Sequence, residues 1–379
     1  MDVTNVEAKG TGKDVTLETT TGDIVTKVVK ALSDVVNLIS VGAISDNNTN
    51  PTTNVTSSDL QASAGGLIDL DTNVDSVTAT TSAAGDITLR ETGSVTLTDV
   101  TSFDGNVDVT ADGQMDVTNV EAKGTSRNVS LTTTTGDVNV NSVTATGTSA
   151  TADKITINSA GGIFEIGADA AADLSANIID VTAVSGIGTT ANPIEMNFTA
   201  STLTASNNGA GDIAIDATSA DALSLTSATV TGAGKIVINQ TSNQDFNIDA
   251  ANITTSNGSI TLTSVSNLNV NGNITAGGSN SGVTLTADAA PSNGSGTLTV
   301  AAGATVDGGS GGIVLNAASS NIAGTLLTSG PMNLTTSGDM LLRFMTAGSL
   351  NMNVGGSIND ANGDINNLSI GQLTQLFIL

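Results

Sequence analysis

Residues 85–109 read GDITLRETGSVTLTDVTSFDGNVDV and contain the pattern that decides the fold. Three four-residue segments, DITL, SVTL and NVDV, carry apolar residues at their second and fourth positions. This alternation places Ile87 and Leu89 on one face of an extended segment and Thr88 on the other, as in a half-buried β-strand. Gly, Ser, Asp and Asn stand between the segments and are typical of turns. The stretch therefore predicts short strands joined by tight corners.

Similar segments recur along most of the chain in two interleaved series. The first series consists of DITL, NVDV, NVSL, KITI, DIAI, KIVI, SITL, GVTL and GIVL, which begin at residues 86, 106, 128, 154, 212, 235, 259, 282 and 312. The second series consists of SVTL, QMDV, DVNV, IFEI, ALSL, DFNI, NLNV and TLTV. Most neighbours within a series are about 20 to 26 residues apart, which is the period of solenoid coils. We therefore predict an all-β fold, a parallel β-solenoid with about three strands per coil and coils of roughly 20–26 residues.

Stacked coils would place equivalent apolar side chains on top of one another in inward ladders. The predicted ladders are Ile87, Val107, Val129 and Ile155; Val95, Met115, Val138 and Phe164; and a weaker one through Val100, Val120 and Val143 and later Val230, Ile253 and Ile274. Gly-Asp steps are interpreted as corners, because Gly permits positive φ and Asp accepts hydrogen bonds from nearby amides. These steps begin at Gly22, Gly85, Gly136, Gly211 and Gly338.

A longer block of sequence is duplicated. MDVTNVEAKGT occupies residues 1–11 and again residues 115–125, and the similarity extends to residues 24 and 138. Met1 thus has the position that Met115 has inside a coil. We interpret residues 1–379 as a single continuous solenoid and as a fragment of a longer protein. Because the end coils of a solenoid expose apolar edges, we expect self-association end to end.

Two regions depart from the repeat. Residues 25–41 carry apolar residues at helical spacing and predict either a short amphipathic helix on the solenoid or two strongly apolar strands. Residues 44–66 are polar and predict a loop, so residues 25–66 are interpreted as a helical or loop excursion. Residues 168–211 lack the regular spacing and predict an irregular coil.

The composition excludes several classes of function. The chain has no Cys and no His, which removes disulfides, thiolate metal sites and His-based catalysis. Asp and Glu number 36 against 10 Lys and Arg, so nucleic acid is not an expected partner. No apolar run approaches the roughly 20 residues of a membrane helix, so membrane insertion is not expected.

Metal binding is considered at one acidic stretch. Asp69, Asp71 and Asp75 lie in LIDLDTNVD, where the first two would share one face of a strand. Carboxylates are ligands for Ca²⁺, so these three residues form a weak calcium candidate, although a solvated surface is the alternative. The glycine-rich stretches lack the repeated Asp of a calcium roll. No other cofactor is expected.

Two stretches resemble a known family. GIGTTANPIEMNFTASTLTASNNGAGDIAI (residues 186–215) and GSINDANGDINNLSIGQLT (residues 356–374) resemble the repeats of filamentous-haemagglutinin-like proteins, which are very large bacterial surface and secreted proteins. The resemblance implies a right-handed parallel β-helix in an exported adhesin, located outside the cell or on the bacterial surface. Its motifs describe architecture, so the resemblance implies no functional residue.

The leading functional hypothesis is a structural and adhesive rod segment without catalytic activity. Its expected partners are glycans or proteins on host or neighbouring cells, bound by many weak polar contacts. The alternative is a carbohydrate-binding or carbohydrate-active β-helix, which is weakened because few aromatic residues are present to form sugar platforms. An ice-binding solenoid is a third hypothesis, and the mixed outward residues Thr88, Asp108 and Ser130 disfavour it.

Overall fold

A computed structural model describes residues 1–48, 52–147, 153–249, 252–291, 294–360 and 367–378. The described residues form strands and turns, without a helix. The chain separates into two compact units, Met1–Ala183 and Val184–Leu379, a division that the sequence did not predict. The fold is a parallel β-solenoid with about 16 turns of roughly 22 residues and about three strands per coil. The predicted fold class is confirmed.

The described residues of the first unit form nineteen strands. They are β1 Asp2–Val3, β2 Val6–Ala8, β3 Val15–Thr19, β4 Ile24–Thr26, β5 Val29–Ser40, β6 Ile44–Asp46, β7 Val55–Ala64, β8 Ile68–Thr81, β9 Ile87–Glu91, β10 Val95–Ser102, β11 Val107–Ala111, β12 Met115–Val117, β13 Val120–Lys123, β14 Asn128–Thr133, β15 Val138–Val140, β16 Val143–Thr146, β17 Lys154–Asn158, β18 Ile163–Glu165 and β19 Leu174–Ala183.

The second unit contains the remaining strands. They are β20 Ile194–Asn207, β21 Ile213–Ser219, β22 Leu223–Val230, β23 Ile236–Gln240, β24 Phe246–Ile248, β25 Asn252–Thr255, β26 Ile260–Ser264, β27 Leu268–Val270, β28 Asn273–Ala276, β29 Gly282–Thr286, β30 Thr297–Val300, β31 Thr305–Asp307, β32 Gly312–Ala317, β33 Ser319–Leu327, β34 Pro331–Thr336, β35 Met340–Val354, β36 Ile358–Asp360 and β37 Leu368–Ile378.

Aliphatic residues stack in register to form the core of each unit. In the first unit Ile87 pairs with Val107, Val107 with Val129, and Val129 with Ile155, and all four are fully buried. The second unit repeats the arrangement through residues 213, 236, 260, 283 and 313. Burial of each such side chain stabilises the fold by about 1.5–3 kcal/mol. The first predicted ladder is therefore confirmed.

The second predicted ladder is wrong by one residue at its end. Val138 pairs with Ile163, which is fully buried, whereas Phe164 pairs with Asn139 and is half-buried on the outer face. The Phe164 ring lies over Gly162, where an added Cβ would come within 2.2 Å of the ring. The missing side chain at Gly162 therefore leaves the space that lets Phe164 point outward.

The third predicted ladder is correct in the first unit, but in the second unit one of its residues is displaced by two positions. Val100 pairs with Val120, and Val120 with Val143. In the second unit Ala228, rather than Val230, lies opposite Ile253. Val230 also points inward, and it pairs with Thr255 instead.

The helix prediction for residues 25–41 and the loop prediction for residues 44–66 are wrong, whereas the alternative of two apolar strands in residues 25–41 is confirmed. Strands β4 and β5 cover most of residues 25–41, and β6 and β7 cover most of residues 44–66, while residues 49–51 lie outside the described residues. The apolar spacing looked helical because Ser33, with φ of 65°, interrupts the alternation inside β5. As a result Ala31 and Val36 both face the core although they are five residues apart.

Most of residues 168–211 is regular strand. Strands β19 and β20 occupy Leu174–Ala183 and Ile194–Asn207. Irregular backbone is confined to the connections at residues 168–173, 184–193 and 208–211, and in the second of these Thr189 and Asn192 form an isolated antiparallel bridge. The predicted irregularity therefore lies in the connections and not in the whole segment.

Corners are stabilised by the aspartates of the Gly-Asp steps. Gly22 and Gly136 have φ of 75° and 80°, as expected for glycine corners. Gly85 is required for a different reason, because a Cβ there would lie 2.5 Å from the backbone of Gly66 and Leu67. The aspartate after each of the five glycines accepts a hydrogen bond from a backbone amide of the following coil, at Ala43, Asn106, Gly162, Lys235 and Ser357.

The duplicated block occupies different sides of the coil in its two copies. Val15 lies in a row with Val36, Leu60 and Val77. Its duplicate Val129 lies in the row of Ile87, which continues to Ile68. Because Ile68 and Val77 are separate positions of the same strand β8, the two rows are distinct. The repeated sequence therefore specifies which side chains point inward but not which side of the coil they occupy.

Candidate functional site

One arginine in the first unit binds carboxylates from neighbouring coils. Strands β8 and β9 pair in register, with Asp69 opposite Thr88 and Asp71 opposite Arg90. Arg90 Nε donates a hydrogen bond to Asp71 Oδ1, and its guanidinium also donates to Asp69 Oδ1. Asp46 Oδ2, at the end of β6, lies 3.8 Å from Arg90 Nη2. Asp46, Asp69, Asp71 and Arg90 are termed the Arg90 cluster, which joins three successive coils.

The Arg90 cluster is partly removed from solvent. The Asp71 side chain is 1% exposed and that of Arg90 is 25% exposed. Burial raises the pKa of Asp46, Asp69 and Asp71 raise it further, and Arg90 opposes them. Burial disfavours the charged form of Arg90, but the hydrogen bonds to Asp69 and Asp71 and the negative charges of these residues together outweigh this effect and raise the pKa of Arg90. The carboxylates of Asp46, Asp69 and Asp71 therefore all lie close to the single positive charge of Arg90.

The predicted calcium residues are only partly brought together. Asp69 and Asp71 lie side by side, and the guanidinium of Arg90 bridges them. Asp75 is exposed farther along β8 and is not a member of the Arg90 cluster. We therefore assign Asp69 and Asp71 to an ion-pair network, and calcium binding stays a prediction. The third carboxylate, Asp46, was missed because residues 44–66 were predicted to be a loop.

Two depressions flank the Arg90 cluster. A groove of about 490 Å³ is lined by Leu67, Asp69, Asp86, Thr88, Asp104 and Arg127, among others. Within it, Arg127 Nε donates to Asp104 Oδ1 at 2.8 Å. A smaller cavity of about 170 Å³ is lined by Asp71, Arg90, Glu91, Thr92, Thr110 and Asp112. Both depressions are lined by several carboxylates.

An ordered polar face lies on the second unit. Strands β24 and β27 bury Phe246, Ile248, Leu268 and Val270 and turn the alternate residues outward. Asn267 donates to Asp245 at 2.8 Å, Asn269 to Asn247 at 2.9 Å, and Asn271 to Asp249 at 2.7 Å. These six residues are termed the Asx face. Their side chains are held in place by contacts between two coils.

The same pairing occurs at single positions in the first unit. Asn119 donates to Asp99 at 2.9 Å, and Asn139 donates to Asp116 at 2.7 Å. These pairs could have been predicted from the sequence, because both members of each pair occupy outward positions of coils that stack on each other. The register shift inside β10, between Leu97 and Asp99, hid the first of them.

The comparisons with known proteins give no identification. No protein-family model, curated protein or solved structure matches this chain. The similarity to filamentous-haemagglutinin-like repeats therefore stays a prediction, and residues 361–366 of its second motif lie outside the described residues. Among the residues that the structure describes, no helix is long and apolar enough to cross a membrane.

Proposed function

We propose that this chain is a structural and adhesive segment of an extracellular bacterial surface or secreted protein and that it is non-catalytic. Stacked coils hold polar faces in fixed positions, and those faces attach to glycans or proteins of host or neighbouring cells. Attachment uses many weak polar contacts, which add because they are repeated on one scaffold.

The Asx face is the observation that carries this proposal. Its amide and carboxylate groups are ordered by hydrogen bonds between coils before any partner arrives. Ordering in advance reduces the side-chain entropy lost on binding. The acidic composition, 36 Asp and Glu against 10 Lys and Arg, favours neutral or cationic partners over polyanions.

Binding of the purified chain to arrays of glycans and extracellular-matrix proteins tests the proposal. The variant Asn247→Ala/Asn269→Ala removes the central pair of the Asx face, and we expect its affinity to fall about tenfold, the effect of about 1.4 kcal/mol. The matched control is Asn119→Ala, which removes one such pair in the first unit and should bind like the wild type. Absence of binding by the wild type, or equal binding by the Asx-face variant, contradicts the proposal.

A second candidate function is carbohydrate cleavage, and one observation favours it. Asp71, Glu91 and Asp112 line the same small cavity, and glycosidases use paired carboxylates. Against it, Asp71 is bound by Arg90, and the cavity is smaller than the roughly 300–1,000 Å³ typical of ligand pockets. Release of reducing sugar or unsaturated uronate by the wild type and not by Asp112→Asn would establish this function and overturn the non-catalytic proposal.

A further inference from the structure

The groove of about 490 Å³ beside the Arg90 cluster crosses four successive coils of the first unit. Its lining residues Leu67, Asp86 and Arg127 directly precede β8, β9 and β14, and β11 lies between the last two strands in the stack. At about 4.8 Å per coil, the groove is about 14 Å long, which an extended peptide covers with about four residues. This groove is termed the corner groove.

Part of the corner groove is apolar. Ala84 and Gly85 line it, and no side chain fits at Gly85, because a Cβ there would lie 2.5 Å from the backbone nitrogen of Leu67. Leu67 also lines the groove and is 43% exposed. Phe103, which directly precedes the lining residue Asp104, is 58% exposed. Exposed apolar side chains with polar residues around them are typical of interaction sites.

The charge of the corner groove is negative. Asp69, Asp86 and Asp104 line it, and Arg127 is the one cation among the described residues that do so. Arg127 Nε donates to Asp104, and Arg90, outside the groove, donates to Asp69. In the part of the chain that the structure describes, Asp86 forms no ion pair, and it is exposed. A cationic group in the groove would therefore be attracted to Asp86 without displacing a cation of this chain.

We propose that the corner groove binds a short basic peptide segment of a partner protein, a segment that carries an apolar side chain beside its Lys or Arg residues. The apolar side chain packs against Leu67 and Ala84. The cations pair with Asp86 and with Asp69 and Asp104, whose side chains are 40% and 39% exposed.

Charge favours this partner over two others. A neutral glycan would not use the negative charge of the corner groove. A second copy of this chain, with 36 Asp and Glu against 10 Lys and Arg, would be repelled by it. The proposal goes beyond adhesion through the Asx face, because it concerns the first unit and a different ligand chemistry. Either proposal can therefore fail while the other holds.

An NMR titration of the full chain with the acetylated and amidated peptide Lys-Lys-Leu-Lys tests the proposal. We expect saturable shifts of the amides of residues 84–86 and 103–105, and weaker binding as added salt screens the charges. The peptide with Ser in place of Leu should bind about fivefold more weakly, because it buries less apolar surface. The peptide Glu-Glu-Leu-Glu should not bind. Absence of saturable shifts at these residues, or equal shifts at acidic residues throughout the chain, would overturn the proposal.

Variants separate the corner groove from a general attraction to an acidic protein. Ala84→Arg places a cation in the groove at an exposed position and should weaken binding of Lys-Lys-Leu-Lys at least about tenfold. Asp86→Asn removes one negative charge and should weaken it by about two- to fivefold. The matched control Asp75→Asn removes an exposed charge outside the groove and should bind like the wild type. Equal binding by Ala84→Arg and the wild type would overturn the proposal.

The same variants test the other two occupants. Ala84→Arg should leave binding to the glycan array and the sedimentation of the chain unchanged. If it abolishes glycan binding or self-association and leaves peptide binding intact, the occupant is a glycan or a second copy, and the proposal is overturned. The NMR titration of the wild type needs no variant to fold. The Asx-face variant should bind Lys-Lys-Leu-Lys like the wild type, so failure of this proposal is distinguishable from failure of the adhesive one.

Discussion

The carboxylate of Asp86 accepts a hydrogen bond from the backbone nitrogen of Asn106, one coil later, at 2.7 Å. Asn106 in turn accepts one from the nitrogen of Asn128 at 2.9 Å, and Asn128 from that of Lys154 at 3.1 Å. Each corner side chain thus satisfies an amide at the start of the next strand. This arrangement explains why Asp and Asn recur at the same point of successive coils, as capping residues do at helix ends.

Removing this acceptor should lower stability. We expect Asp86→Ala to reduce the free energy of unfolding by about 1 kcal/mol, because the amide of Asn106 loses its side-chain partner. Asp86→Asn keeps an acceptor oxygen and should cost less. Chemical denaturation measures both, with Asp75→Ala as an exposed control on β8. Equal stability of Asp86→Ala and the control would contradict the role of the corner.

Arg90 should matter more than an exposed arginine. We expect Arg90→Met to cost about 3 kcal/mol, because the carboxyl group of Asp71, at 1% exposure, would lose its cationic partner. The matched control is Arg127→Met, whose ion pair with Asp104 is about one-third exposed and should be worth less than about 1 kcal/mol. In a double-mutant cycle, Asp71→Asn should recover part of the loss in Arg90→Met. Equal losses in the two arginine variants would contradict the assignment.

The first unit should respond to pH through Asp46. Burial and the neighbouring Asp69 and Asp71 raise the pKa of Asp46 above 3.8, despite Arg90. The stability that this residue contributes is present below the unfolded pKa and is lost as the pH rises through the folded pKa. Asp46→Asn should therefore increase stability at neutral pH and reduce its dependence on pH. Denaturation at several pH values measures this, with Asp75→Asn as the control, and lower stability of Asp46→Asn at neutral pH would contradict it.

The register at β18 predicts an order of stabilities. Ile163 is fully buried against Val138, so Ile163→Ala should cost about 2–5 kcal/mol. Phe164 is half-buried on the outer face, so Phe164→Ala should cost less despite removing a larger side chain. Thermal and chemical unfolding of the two variants compare them directly. The reverse order would show that Phe164 and not Ile163 points into the core.

Much of the fold could be predicted from the sequence, because burial of every second residue of a strand produces an alternation of apolar and polar residues. The ladder through Ile87, Val107, Val129 and Ile155 follows from period-two alternation and a constant coil length. Phe164 could not be placed in the same way, since its direction depends on the space above Gly162. The helical alternative for residues 25–41 arose from one residue, Ser33, whose positive φ changes the phase of the alternation.

The candidate site was less accessible to such reasoning. Asp69 and Asp71 were recognised as a pair on one face, but their partner Arg90 belongs to the next coil and Asp46 to the preceding one. Finding them requires knowing which residues of neighbouring coils lie opposite each other. The turns determine this register, whereas the alternation of apolar and polar residues within a strand does not. Val15 and its duplicate Val129 illustrate this point, because they lie in two different rows. The duplicated sequences around them therefore pair with different residues in the neighbouring coils.

Parallel stacking in register is the central claim, and a distance measurement between spin labels in the first unit tests it most directly. Ser45, Ser130 and Asp180 lie in one outward row, with Ser130 four coils and Asp180 six coils beyond Ser45. The chain has no native Cys, so cysteine pairs can be labelled at these sites alone. At about 4.8 Å per coil, we predict backbone separations of about 19 Å for residues 45 and 130 and about 29 Å for residues 45 and 180. Distances that fail to increase with coil number, as antiparallel hairpins or a two-sheet sandwich would give, would contradict the account.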